Sequence, residues 1–398
     1  MSDQIITFDN EETENIASPK RTKRTVILII VAIVIVLIAT FLIINYRHLP
    51  PMKFSEWVSD SFIRVGSGDG YPYEVNSNSV RDVAAFNKDS AILTDTSLII
   101  LNPSSKEVTN RLIPYSNPVM KTSSDRILIY DIGGNNFSIH NRSSSLFQNT
   151  TENAITTCTI GDYGNFAVAT RDDVYSGSVT FYSYKFDEMF KWNSGNSYIT
   201  ALALSPDGDY GAAVTLNARS GEAFSTVYIF NFETEEVVSF KFEDTVIGNI
   251  VFGRDNQLTA VGDSCITVIN TLNDDKESDE TYAVVGSLSH ISCDNGNAIA
   301  TVSKVYDNNN IYSIKYINHR YGTQFETTIE EKVYDVYANQ KYCAVLTDKS
   351  VYLYGYEGNI ISAVSIDSLN ADSSIHKIFV CESELYALTS SKILQISY

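Results

Sequence analysis

Two carboxylates flanking a glycine are the first residues in this sequence whose types and spacing could do chemistry. In ITALALSPDGDYGAAV, Asp207 and Asp209 stand on either side of Gly208 between apolar runs, an arrangement open to a metal site, an active-site loop or a tight turn. A second acidic group, Asp274, Asp275, Glu277, Asp279 and Glu280 in LNDDKESDE, offers oxygens to calcium. Its spacing departs from DxDxDG and no glycine sharpens the bend, so a solvated loop is expected. His48, His140, His290, His319 and His376 form no HExxH or HxH pair, which removes the usual zinc arrangements. There is no GxSxG elbow and no GxxxxGK loop. The glycine-rich run RVGSGDG, Arg64 to Gly70, leads into no helix whose amides would hold an anion and reads as a bend. No catalytic residue, metal or cofactor is expected.

The elements that position these residues are strands. The 398 residues are 44% hydrophobic, and Tyr and Phe number 25 and 19. Aromatic and β-branched residues dominate and no repeated helical stripe follows residue 45, so the soluble part is expected to be all-β. A formal charge of −19 opposes polyanionic partners, and no nucleic acid is expected.

One segment stands outside this pattern. Val26 to Ile44 is an uncharged run of 19 residues, as a helix about 28 Å long, against a hydrocarbon layer of about 30 Å. It is longer than a cleavable signal core and is expected to persist as a signal-anchor in the lipid bilayer. Lys20, Arg21, Lys23 and Arg24 precede it and only Arg47 and His48 follow closely, so the positive-inside rule places residues 1–25 in the cytoplasm as a disordered tail. Residues 45–60, around Pro50 and Pro51, form a juxtamembrane linker, and 61–398 an extracytoplasmic domain on the cell membrane. Cys158, Cys265, Cys293, Cys343 and Cys381 are odd in number without CxxC spacing. They read as buried free thiols, Cys293 the least certain, with a long-range pair left open.

Around Asp207 the order is apolar run, polar turn, apolar run, polar excursion, STVYIFNF, turn, EEVVSFKF, which is a four-stranded meander. The order recurs in eight units whose first strands begin near residues 82, 119, 155, 199, 247, 290, 333 and 375. Their mean spacing of about 42 residues is that of propeller blades. The last unit holds three strand-like pieces and ends at Tyr398, whereas FIRVGSGDGYPYEV, Phe62 to Val75, precedes the first unit where a missing fourth strand would lie. The expected fold is therefore a single eight-bladed β-propeller closed by its N-terminal strand. Seven blades plus an irregular unit is the rival, the unit with the SSDR, GGNN and HNRSSS turns being least regular. Within a blade, SPDG is expected to be the turn joining first and second strands.

ALALSPDGDYGAAV resembles the strand and turn that open blades of WD40-like and related bacterial propellers, and residues 60–398 resemble that superfamily throughout. No blade carries the WD or GH dipeptide of typical WD40 repeats, nor the tryptophan docking motifs of quinoprotein-like dehydrogenases. Acidic tail, basic-flanked anchor and Tyr-rich propeller together look most like an uncharacterised membrane-anchored family of Gram-positive anaerobic bacteria. That resemblance implies no catalytic residues.

Between second and third strands, TDTS, GDSC, TDKS and TSSK are tight turns, whereas TRDDVYSGS, TLNARSGEAFS and SKVYDNNN are expanded. Equivalent connections emerge on one face of a propeller, so the expansions are expected to build a rim from Arg171, Asp173, Tyr175, Arg219, Glu222, Phe224, Tyr306 and Asp307, or else to be plain surface insertions. The expected function is non-enzymatic binding or scaffolding of a protein, peptide or cell-wall component. The alternatives are a glycan-active or cofactor-dependent enzyme using the central cavity, and an envelope-assembly or sensory component.

Overall fold

The computed structural model describes residues 21–44, 56, 66–75, 80–253, 256–270, 280–294, 298–306, 309–319, 321–369 and 374–398. They fall into two compact units, Met1–Pro51 and Met52–Tyr398. In the first, Arg21–Ile44 is a helix of 24 residues, and Thr40 Oγ1 returns a 2.8 Å hydrogen bond to the Val36 carbonyl one turn back. Its side chains are described at 26–37, 39 and 40. Within the described residues no helix is long and apolar enough to cross a membrane. The tail up to residue 20 and nearly all of the 45–60 linker lie outside the described residues.

In the second unit the described residues form eight four-stranded antiparallel sheets, one for each unit of the sequence repeat. Blade 1 begins with the inner strand Val80–Phe86, and the inner strands of blades 2 to 8 are Pro118–Thr122, Ile155–Ile160, Tyr198–Leu204, Ile247–Phe252, Ser287–Asp294, Val333–Ala338 and Ile375–Cys381. The chain runs outward within each blade and steps to the next. Inner-to-second and third-to-outer turns therefore share one face, called here the turn face. Second-to-third connections and blade-to-blade links share the other, the loop face.

Blade 8 receives its outer strand from the other end of the domain. Tyr73–Glu74 pairs antiparallel with Ile393 and Lys392, and the Val75 amide extends the pairing to the Ser391 carbonyl at 2.8 Å. The described part of the glycine-rich run, Gly66 to Gly70, is seated on a blade 1 turn. The Gly70 amide donates to the Ser104 carbonyl at 3.2 Å, and Gly68 passes so close to the Ser104–Lys106 backbone that a Cβ would overlap it. The bend expected from the sequence is thus a close approach that only glycine permits.

The core lies between blades. Each of the eight buried apolar clusters joins two neighbours, so blade faces are apolar on both sides and second strands such as Asp89–Thr94 and Ala298–Lys304 are buried at nearly every position. The filling follows the wedge shape of the gap. Near the axis second strands supply Ala91, Ala169, Ala212, Ala260, Ala300 and Ala344. Farther out, third and outer strands supply rings, such as Phe181 against Phe232 at 5.1 Å and Trp192 against Tyr228 at 4.7 Å between blades 3 and 4. Side-chain volume rises with radius because the sheets diverge while interior packing density must stay constant. Most tyrosines are consumed here. All five cysteines are free; Cys158, Cys343 and Cys381 are buried as expected, but Cys265 and Cys293 are only partly so.

SPDG is the expected turn, and more. Gly208 has φ +83°, its amide donates to the Ser205 carbonyl at 3.0 Å, and Ser205 Oγ donates to Asp207 Oδ1 at 2.6 Å. The other Asp207 oxygen accepts from Asn256 Nδ2 of blade 5 at 2.7 Å, so the carboxylate clamps two blades. Burial alone would raise its pKa, but bonds from Ser205, the Asp209 amide and Asn256 hold it below the ordinary carboxylate value. A depressed native pKa means stability present above the unfolded value, about 3.9, and lost as pH falls through the native value. Asp207→Ala is expected to cost about 1–2 kcal/mol at pH 7, with the deficit shrinking towards pH 3.5 in urea titrations and no response to added calcium at either pH.

Candidate binding surfaces of the propeller

The inner strands carry a repeated irregularity. In seven blades the ladder to the second strand slips by one residue near its start, between Val80 and Asp82, Ile155 and Thr157, Ile199 and Ala201, Ile247 and Asn249, Leu288 and His290, Val333 and Asp335, and Ile375 and Lys377. Such a bulge adds local twist and re-aims the following side chain. Blade 2, the least regular unit of the sequence, pairs without the slip. At three bulges a hydroxyl compensates the interrupted ladder, Thr156, Thr200 and Ser289 bonding carbonyls of their second strands at 3.0–3.5 Å.

Where blades 7, 8 and 1 meet, the residues after the bulges are charged. Lys377 Nζ pairs with Asp82 Oδ1, and Asp335 Oδ2 accepts the Ile378 amide at 2.8 Å. Lys377 and Asp335 border a cavity of about 660 Å³ lined by blades 1, 2, 6, 7 and 8, with Lys121, Ser124, Lys341 and Glu382 toward the turn face. Its size suits a small ligand. His290, whose pKa burial lowers, has Nδ1 3.1 Å from Ser289 Oγ. Among the described residues no group of three His, Cys, Asp or Glu could hold a metal. The cavity is a polar binding space with charges of both signs.

On the loop face the expanded connections of blades 3 and 4 form one surface. Asp172 organises the first: its Oδ1 accepts the Val174 and Tyr175 amides at 2.8 and 2.9 Å, and the Tyr175 and Val174 amides hold its carboxyl below the usual pKa. The Arg171 amide is tied to the Ala154 carbonyl at 2.9 Å and the Ser176 amide to the Gly195 carbonyl at 3.0 Å. Arg171 and Asp173 point to solvent. The blade 4 excursion is not the loop its polar composition suggested. Tyr210–Arg219 and Glu222–Asn231 pair along their whole length, and Ser220 and Gly221, both at positive φ (56° and 92°), turn the chain in two residues. Arg219 and Glu222 are the last pair at its tip, whereas Phe224 is a ladder residue opposite Glu243 with Lys241 Nζ 4.3 Å above its ring.

Asn217 Nδ2 ties the hairpin to the Asn196 carbonyl at 3.2 Å and Ser197 Oγ at 2.9 Å, beside the link that holds Gly195. Three large side chains flank these bonds and remain exposed: Val174 (83%), Tyr198 (69%) and Tyr175 (43%). Val174 and Tyr198 were not singled out from sequence, since an aliphatic side chain within a polar connection offers no specific chemistry and an aromatic one at a strand start reads as core. Tyr306 is also exposed (63%) but belongs to blade 6, two blades away, and Asp307 lies outside the described residues.

A family model described as "Family of unknown function (DUF5711)" matches residues 71–397. No curated protein matches the sequence. Among solved structures, the C-terminal WD40 domain of Sif2 superposes with a TM-score of 0.58 at 11% identity, covering 84% of this chain and 100% of that one. The dihydro-heme d1 dehydrogenase NirN in complex with DHE gives 0.52 at 10% identity over 72% of this chain and 66% of that one. The propeller domain of Cps50 (Swd1) from Myceliophteria thermophila gives 0.47 at 13% over 69% and 95%. At these identities the likeness is one of fold.

Burial, the largest influence on Asp335, pushes its pKa up to about 6. A raised native pKa means the stability associated with its protonated form is present below about 3.9 and lost as pH rises through about 6. Asp335→Asn keeps an acceptor for Ile378 and is expected to raise stability at pH 7.5 by roughly 1–3 kcal/mol and to leave it unchanged near pH 4, as read from paired urea titrations.

Proposed function

The chain belongs to this family of unknown function, DUF5711, and we propose that its propeller is a membrane-tethered interaction module whose blade 3 and blade 4 rim takes a protein or peptide partner of the cell envelope. Residues 26–44 hold the bilayer, 1–25 remain in the cytoplasm and 61–398 stand outside. The apolar run and its basic N-terminal flank support the tether. The exposure of Val174, Tyr175 and Tyr198 on backbone fixed by the Ser176–Gly195 and Asn217–Asn196 bonds carries the binding assignment. Exposed aromatic and aliphatic side chains on a fixed frame lose little conformational entropy on binding and supply the anchors that dominate interface energies. Arg219 and Glu222 at the hairpin tip place charges at the edge, where they select the partner's orientation.

A second reading, a small polar ligand in the central cavity, is favoured by Lys121 and Lys341 at its turn-face mouth and by Asp335 within.

Photo-crosslinking residues introduced at Tyr175, Tyr198 and, as a control on the turn face, Tyr356 separate the two. In native membranes positions 175 and 198 should capture one common partner and position 356 should not. Val174→Ser with Tyr198→Ser should lower capture from position 175 at least tenfold without moving Tm. Equal capture from all three positions, or capture unaffected by the double substitution, contradicts the rim assignment.

A further inference from the structure

The turn that opens the second strand of blade 2 ends in Arg126, the largest fully buried side chain among the described residues. Its guanidinium is fixed by the propeller itself. Nη1 donates to the Gly164 carbonyl at 3.1 Å and to the Tyr184 carbonyl at 2.8 Å, both in turn-face turns of blade 3. The ring of Phe186 lies 5.0 Å from Cζ and is itself held by parallel stacking on Phe147 at 4.8 Å. These four partners come from blades 2 and 3 alone. The opposite edge of the fork, Nε and Nη2, receives the two carboxylate oxygens of Glu56 at 3.2 and 2.7 Å. Glu56 belongs to no blade; it precedes the closing strand Tyr73–Glu74 and is itself nearly buried, 12% of its side chain exposed.

The division of labour matters. A guanidinium stays charged at every physiological pH, and once out of water it needs a carboxylate with matching fork geometry. Everything that orients Arg126 stays in place if Glu56 withdraws, and only the anion is lost. Bidentate pairing is directional, so the vacated edge favours a two-oxygen anion over a spherical one, and a singly charged carboxylate neutralises the buried guanidinium where doubly charged sulfate would leave a net buried charge.

We propose that the Arg126 pocket is a carboxylate-binding site, filled in cis by Glu56 in this structure, that accepts a carboxylate in trans when Glu56 is absent. The source is a small carboxylic acid or the side chain of an acidic peptide. The site lies on the turn face, is separate from both the central cavity and the blade 3 and blade 4 rim, and places Glu56 in competition with any acidic ligand that reaches Arg126.

Chemical rescue tests this on the full chain in detergent. Glu56→Ala should lower Tm, and acetate or propionate in the millimolar range should restore it saturably, whereas sulfate or chloride at equal ionic strength should not. Glu56→Gln should show the lowered Tm without rescue, because its side chain fills the space, and Glu56→Ala with Arg126→Met should be insensitive to carboxylates. A Glu-containing peptide restoring Tm at lower concentration than acetate identifies the peptide as the preferred source; rescue by the free acids alone identifies small acids. Should Glu56→Ala not accumulate, its soluble yield with and without propionate gives the same reading. An unchanged Tm in Glu56→Ala, or a response to acetate no larger than to sulfate, overturns the proposal.

Discussion

A ring of sheets has no stable open form, and this constraint governs the rest of the molecule. Every blade is apolar on both faces, so a broken ring would bare the facing surfaces of two blades and an unpaired sheet edge. The seam between blades 8 and 1 is accordingly secured by packing, charge and hydrogen bonding together. Val75, Val83, Ile92, Phe379 and Tyr386 pack across it. Lys377 pairs with Asp82 near the axis, and the Cys381 thiol donates toward the Asp89 carbonyl at 3.3 Å. Two residues of strand, Tyr73 and Glu74, complete the last sheet from the opposite end of the domain. Because the closing strand precedes blade 1 in sequence, the first and last strands of the propeller are the ones that must meet.

The two faces of the ring are used differently. On the turn face polar groups run from one blade to the next: Ser124 donates to Asp162, Asn256 to Asp207, Asn318 to Gln340 and Tyr337 to Val380. Charge and hydrogen bonding there hold the blades in register, and Arg126 belongs to that network. On the loop face the blades seal their connections locally. Thr94, Thr347 and Thr389 each bond the residue three positions on and accept its amide, giving turns that need no neighbour. A face whose turns are self-sufficient can vary one blade at a time. Blades 3 and 4 have done so without disturbing the ring.

The sequence made the repeat legible because packing on both faces demands short apolar runs in the central strands of every blade, and because each inner-to-second turn repeats the small and polar residues that reversal requires. It made the closing strand legible by subtraction, since the last unit was one strand short. Asp207 was legible as a turn former but not as a clamp, because Asn256 lies 49 residues on and nothing local announces the meeting. The blade 4 hairpin was misread as a loop. Its strands carry polar residues on both faces once they leave the neighbouring blades, so the apolar run, the signal for a strand here, ends at Leu216 while the backbone ladder continues to Arg219 and Glu222. The Arg126–Glu56 pair and the cavity charges were invisible for a related reason. Each depends on which residues converge in space across blades, and a single charged side chain in a turn reads as solvated until its partners are placed.

Amide hydrogen exchange tests ring closure most directly. If the Tyr73–Val75 pairing locks a single cooperative ring, the amides of Tyr73, Val75 and Ile393, which face the shared ladder, exchange only in the event that also exposes buried second strands such as Tyr342–Thr347, with one opening free energy for all. Fast exchange at Tyr73, Val75 and Ile393 while Tyr342–Thr347 stays protected would show that the ring holds without its closing strand and would contradict the account.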